Sequence, residues 1–138
     1  MNKCIQLAQI AKERGDSPVG SVLVKGKTII GEGIEGGKTF KDITFHSEIE
    51  AIRDAIKSHN IKDLSDCVLF STHEPCIMCS YVIRHHKIKT IVYAIAVDNI
   101  GGHTSSFKIL EDQTVKKWGD PPAIITGILK EECQALHQ

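Results

Sequence analysis

Two short segments, Pro75-Cys76-Ile77-Met78-Cys79 and His46-Ser47-Glu48, constrain this chain more than any other feature. Proline is well tolerated at the first helical position, where its missing N–H costs nothing, so a helix is predicted to open at Pro75 or Cys76. Cys76 and Cys79, three positions apart, then project from one side of its opening turns. The positive end of the helix dipole favours thiolates there, and the thiolate is the form that binds zinc. Alone, such a pair also suits a redox dithiol or half of a structural zinc knuckle. His46 precedes a second predicted helix, so its imidazole can reach a metal shared with both cysteines. Three protein ligands leave a tetrahedral Zn2+ one open position, as in catalytic sites, where water loses a proton near neutral pH. Glu48, two residues past the histidine, points differently and is free to carry protons.

The rest of the composition limits the alternatives. A chain of 138 residues suits one compact domain, residues 1–138. With 41% hydrophobic and 25% charged residues it is an ordinary globular sequence, and no apolar run is long enough to span a bilayer. The first residues lack the apolar core of a signal peptide, so a cytoplasmic protein is expected. Seventeen basic and seventeen acidic residues cancel, giving no long-range field for a polyanion. The run Arg84-His85-His86-Lys87-Ile88-Lys89 is the best local basic patch and reads as a solvated helix end. Five cysteines, an odd count, argue against a disulfide framework; Cys4, Cys67 and Cys133 read as small buried hydrophobes.

Periodicity predicts helices over 3–14, 47–58 and from 75 or 76 to about 86, with a short helix at 107–111 and a closing one at 128–136. Strands are predicted at 19–24, 28–31, 68–71, 91–96 and 123–126, with loops at 32–44, 101–106 and around Trp118. Strands alternating with helices in the second half imply parallel pairing, hence a three-layer α/β/α sandwich around a mixed sheet.

His46-x-Glu48 followed by Pro75-Cys76-x-x-Cys79 resembles the signature of the cytidine and nucleobase zinc deaminases. The resemblance extends over Ser17–Val22, His46–Ile52, Glu74–Cys79 and Ile88–Ala94, and the tail Thr126–Cys133 is similar to tRNA-editing members. It implies a five-stranded cytidine deaminase-like fold, one zinc on His46, Cys76 and Cys79, and Glu48 shuttling a proton to the ring nitrogen and to departing ammonia. It also implies substrate contacts from Val19, Gly20 and Ser21, from Glu74 and Pro75 before the first cysteine, and a homodimer.

This sequence departs from the family in several places. Many members of this branch carry an asparagine eleven residues before the metal histidine; counting back from His46 reaches Glu35. An ionised carboxylate only accepts hydrogen bonds, so in a pocket Glu35 suits a heterocycle edge presenting N–H donors, as guanine does; in a solvated loop it does nothing. Phe45 is expected to stack on a flat ring. His103 and Asp98 follow the strand where the family builds part of its pocket. His73 reads as an exposed oddity and Tyr81 as core. Trp118 either closes over a base or anchors its loop. Together with the neutral charge, these departures favour a small nucleobase or nucleoside as substrate and put tRNA second. Two other classes compete. A structural zinc module needs a fourth ligand, for which Cys67 is the nearby thiol, and a thiol redox protein needs neither His46 nor Glu48.

Overall fold

The computed structural model describes residues 1–138. Five strands form one mixed sheet in the order β2-β1-β3-β4-β5: β1 Gly20–Lys25, β2 Thr28–Ile34, β3 Cys67–His73, β4 Thr90–Ile95 and β5 Ala123–Thr126. β1 runs antiparallel to both β2 and β3, whereas β3, β4 and β5 are mutually parallel. The parallel half follows from the connections: a return to a parallel neighbour needs a crossover, and α3 Ile77–His85 supplies the one between β3 and β4.

The sheet is covered on both faces, as the alternation of strands and helices implies. Leu23, Leu69, Ile91 and Tyr93 pack with Ala51, Ile52 and Ala55 of α2 Ser47–Lys57 and Ile83 of α3, forming the main core. On the opposite face, Val22 packs with Cys4 and Leu7 of α1 Asn2–Glu13. The closing helix α4 Lys130–Ala135 lies against β4, and Lys12 donates to the carbonyl of Gln138, tying the tail to α1. This is the expected three-layer, five-stranded mixed sheet. No helix is long and apolar enough to cross a membrane.

Element boundaries shift where glycine or loop chemistry misleads. Glycines 31 and 33 suggest that β2 stops early, yet the strand continues to Ile34, pairing Gly31 with Leu23 and Gly33 with Ser21. Those glycines let α2 lie directly on the strand: a Cβ at Gly33 would strike the Ser47 carbonyl and the Ala51 amide, both backbone. Gly33→Ala therefore cannot be accommodated by a side-chain rotation. Its expected cost is about 3 kcal/mol, the upper range for overpacking, measured by denaturant unfolding; an unchanged midpoint would refute the contact.

The expected helix at 107–111 is only a 3-10 turn, Ile109–Glu111, and a second such turn spans Lys116–Trp118. The closing helix starts at Lys130, after Leu129 at φ 53°, rather than at Ile128. Arg84 does not belong to a solvated basic end. It is 1% exposed, donates to the carbonyls of Ile109 and Gly119, and lies 5.1 Å from the Trp118 ring centre.

Candidate active site

Two helix N-termini converge at one end of the sheet. His46 is the N-cap of α2 and Cys76 the N-cap of α3, both in extended conformation, so each side chain swings off its helix mouth. Cys79 follows one turn into α3 and is fully buried. The turn carrying Pro75 and Cys76 is fixed from across: Cys76 bridges to Gly101, and the Gly102 amide donates to the Pro75 carbonyl at 2.8 Å.

His46 Nδ1 lies 3.5 Å from Cys76 Sγ and 3.4 Å from Cys79 Sγ, and the three ligand atoms lie within 4.8 Å of one another. Zn–N and Zn–S bonds of ordinary length at the tetrahedral angle place N and S about 3.6 Å apart. The donor set therefore fits zinc in spacing and chemistry. Hydrogen bonding with Cys79, and then with His46, holds the Cys76 thiol down to about 4, the thiolate side of neutrality; its hydrogen bond to Cys76 pushes His46 up to about 9. Cys67, the thiol expected as the nearest fourth ligand, starts β3 and contacts Asp66, at the opposite end of that strand from His73, and the grouped donors are His46, Cys76 and Cys79 alone. A closed four-ligand structural site is thus not formed. A redox dithiol gives no reason for His46 to sit within 3.5 Å of both sulfurs.

Glu48 occupies the first turn of α2, 4% exposed, with one oxygen 3.6 Å from Cys79 Sγ. Burial pushes its carboxyl up to about 7. It shares with His46 and Cys76 a cavity of about 300 Å³, whose wall also includes Val19, Glu35, Glu74 and His73. A buried carboxyl able to carry a proton therefore faces the same space as two of the candidate metal ligands.

Glu35 does enter this cavity. Its Oε2 accepts from the Gly37 amide at 2.9 Å, its carbonyl accepts from Arg14, and burial raises its carboxyl above the usual carboxylate range. The loop that follows is clasped by Asp16, which accepts from the Lys38 and Thr39 amides at 3.0 Å each and from the Thr39 hydroxyl. Glu74 lines the cavity but is committed elsewhere. It is 2% exposed and accepts from the amides of Val97, His103 and Thr104 and from the Thr104 hydroxyl, holding its carboxyl below the usual range and buckling the 97–104 loop onto the metal turn.

Several expected contacts are not in the cavity wall. Phe45 stacks on Phe40 at 4.6 Å beneath the Arg53 guanidinium, because the clasped loop turns it outward. Gly20 faces α1, where a Cβ would meet the Cys4 carbonyl and Ala8 amide, and its own amide donates to Thr72. Ser21 is fully buried and bonds to other hydroxyls. Pro75 supplies a carbonyl to Gly102 rather than a wall. His103 is drawn away by the Tyr93 hydroxyl at 2.9 Å and Glu111 at 3.2 Å. Trp118 packs against Arg84 and Tyr81, as the loop-anchor alternative expects; Tyr81, expected in the core, is 50% exposed.

Five residues of the wall, Ser17, His73, Val97, Ile100 and His137, are not among the contacts expected from sequence, and the two histidines bear most on its chemistry. His73 is partly buried rather than exposed, and its ring meets that of His137 edge-on at 4.8 Å, both lining the cavity. Only the odd placement of His73 before Glu74-Pro75 hinted at this. His137 gave no signal, since it reaches the cavity only because α4 folds back along the sheet.

The family model for the cytidine and deoxycytidylate deaminase zinc-binding region matches residues 1–95. The chain is 38% identical over 114 residues to the tRNA-specific adenosine deaminase of Aquifex aeolicus, covering 80% of this chain and 76% of that protein. A solved structure from a study of A-to-I editing by tRNA:A34 deaminases superposes with a TM-score of 0.89 at 26% identity, covering 99% of this chain and 96% of that one. The guanine deaminase of Bacillus subtilis aligns with a TM-score of 0.64 at 36% identity, over 69% of this chain and 61% of its own. With His46, Cys76 and Cys79 grouped to hold a metal, the chain belongs to the cytidine and deoxycytidylate deaminase zinc-binding family as a zinc-dependent hydrolytic deaminase.

Proposed function

We propose that this deaminase acts on adenosine presented by a transfer RNA, converting it to inosine with release of ammonia. The observation that carries this reading is the near end-to-end likeness to a tRNA:A34 deaminase, at a TM-score of 0.89 over 99% of the chain. It outweighs the neutral net charge, which speaks only to long-range attraction and not to local contacts. His46, Cys76 and Cys79 would hold zinc, which would supply an acidified water. Glu48 accepts that water's proton, gives it to the ring nitrogen beside the amine-bearing carbon, and passes a proton to the amine as it leaves. Val19 and Glu35 flank the ring. The protein works as a homodimer, a reading supported by the large apolar side chains of Tyr81, Ile100 and Phe107, each at least half exposed, and its tRNA substrate would place it in the cytoplasm.

A second reading is favoured by one observation, the carboxylate of Glu35 in the cavity wall. It accepts but does not donate, so it matches a small heterocycle such as guanine, whose edge offers N–H groups. Ammonia release measured against an anticodon stem-loop with adenosine at the wobble position, and against guanine, cytosine, adenine, isocytosine and pterins, separates the two. Turnover of the RNA alone supports the proposal; turnover of a free base with none of the RNA replaces it. Sedimentation at micromolar concentration tests the dimer.

A further inference from the structure

Behind Glu48 lies a feature that neither metal binding nor the cavity wall uses. Ser21 of β1, Ser47 of α2 and Ser71 of β3 are each fully buried, and their hydroxyls meet. Ser21 Oγ lies 2.7 Å from Ser47 Oγ and donates to Ser71 Oγ at 2.9 Å. Ser71 Oγ reaches Glu48 Oε1 at 3.4 Å, and Ser47 Oγ reaches Oε2 at 3.4 Å. Three hydroxyls between a sheet and a helix are costly unless bonded, and alanine would fill each position without that cost.

Counting protons orders the group. Each serine has one hydroxyl proton and two lone pairs. Ser71 Oγ already accepts from Ser21 and, at 3.4 Å, from the His73 amide, so its own proton is left for Glu48. Ser21 spends its proton on Ser71, so the short contact with Ser47 is donated by Ser47. The hydroxyls thus point one way, Ser47 to Ser21 to Ser71 to Glu48 Oε1, with the Ser47 proton taken by the shorter 2.7 Å contact to Ser21 rather than the 3.4 Å approach to Oε2, and aligned donors of this kind strengthen one another.

We propose that Ser21, Ser47 and Ser71 are positioning residues: a one-way hydroxyl relay that fixes the rotation of the Glu48 carboxylate, with Oε1 held toward β3 and the other oxygen left facing Cys79 and the cavity. They act through Glu48 and touch no substrate. The relay joins one residue from each of three elements, so it sets the carboxylate against the sheet rather than against its own flexible stem. The inference rests on the deaminase chemistry and not on which amine is the substrate.

The test is Ser71→Ala in the zinc-loaded protein, read in two ways. Kinetics on the anticodon stem-loop should show kcat lowered about tenfold with KM within twofold, at one zinc per chain, because misorientation costs the reaction and not binding. Infrared difference spectra against Glu48→Gln identify the Glu48 carboxylate band without any substrate, and that band should move in Ser71→Ala. Ser21→Ala, one step further along the relay, should give the same changes at smaller size and serves if Ser71→Ala does not fold. A carboxylate band that stays put in a folded variant overturns the proposal, as does a kcat loss that tracks zinc loss. Absence of turnover on the RNA in the unaltered protein would count against the tRNA reading alone, since the infrared result stands without it.

Discussion

Glu48→Gln should retain one zinc per chain and the native fold while ammonia release falls by about a thousandfold or more. The amide keeps the shape of the side chain but neither accepts a proton from water nor delivers one to a leaving amine, and general acid–base catalysis is typically worth 10²–10⁴-fold, about 3–5 kcal/mol of barrier. Glu48 contacts Cys79 but lies outside the trio that holds the metal, so elemental analysis should find zinc unchanged. The substitution also has a stability signature in the metal-free protein. Burial raises the folded pKa of Glu48 to about 7, above its ordinary value, so the carboxyl's contribution is intact at acid pH and is lost as pH rises through about 7. Glutamine carries no such loss. Chelated Glu48→Gln should therefore be more stable than the chelated parent at pH 8, by of order 2 kcal/mol, and indistinguishable from it near pH 4. Equal turnover by variant and parent would remove Glu48 from the chemistry, and equal stability at pH 8 would mean that its burial is relieved in solution.

Removing a zinc ligand should act on fold and chemistry together. Cys79→Ser replaces a fully buried thiol with a poor zinc ligand in the first turn of α3. Zinc content should drop well below one per chain, activity should fall beneath detection, and the melting temperature should fall to that of the chelated parent. The size follows from linkage: a metal present at a hundred to a thousand times its dissociation constant stabilises by about 3–4 kcal/mol. The mechanical reason is that the metal ties the mouth of α2, through His46, to that of α3, through Cys76 and Cys79, and these helices otherwise make few direct contacts. Cys67→Ser is the matching control and should keep its zinc, because Cys67 starts β3 while the metal lies beyond its other end. Full zinc in Cys79→Ser would mean that the metal is held by some other set of donors.

Local chemistry was readable wherever the determining interactions lie within a few residues. A proline before a Cys-x-x-Cys pair, a histidine at the mouth of an amphipathic helix, and alternating strands and helices all depend on spacing, and they led to the ligands, the carboxylate and the layered sheet. Glycine in a strand is ambiguous locally because its value at positions 31 and 33 comes from α2 packing on it, contacts 14 to 24 residues distant in sequence. Aromatic and histidine side chains were misplaced for a related reason. Phe45 is named for its place beside His46, His103 for the strand it follows and Trp118 as the one tryptophan in a turn, but their direction is set by Phe40 and Arg53, by Tyr93 and Glu111, and by Arg84.

The sequence by itself put His46, Glu48, Cys76 and Cys79 at the openings of two predicted helices, and the resemblance to the zinc deaminases, not spacing alone, implied three ligands and a proton carrier. Only the tertiary structure decided what surrounds that site. Glu35 in the cavity wall, His73 against His137, and the serine relay behind Glu48 each join segments far apart in the chain. Such contacts are set by how sheet and helices pack, and a side chain carries no local mark of the distant partner it will meet.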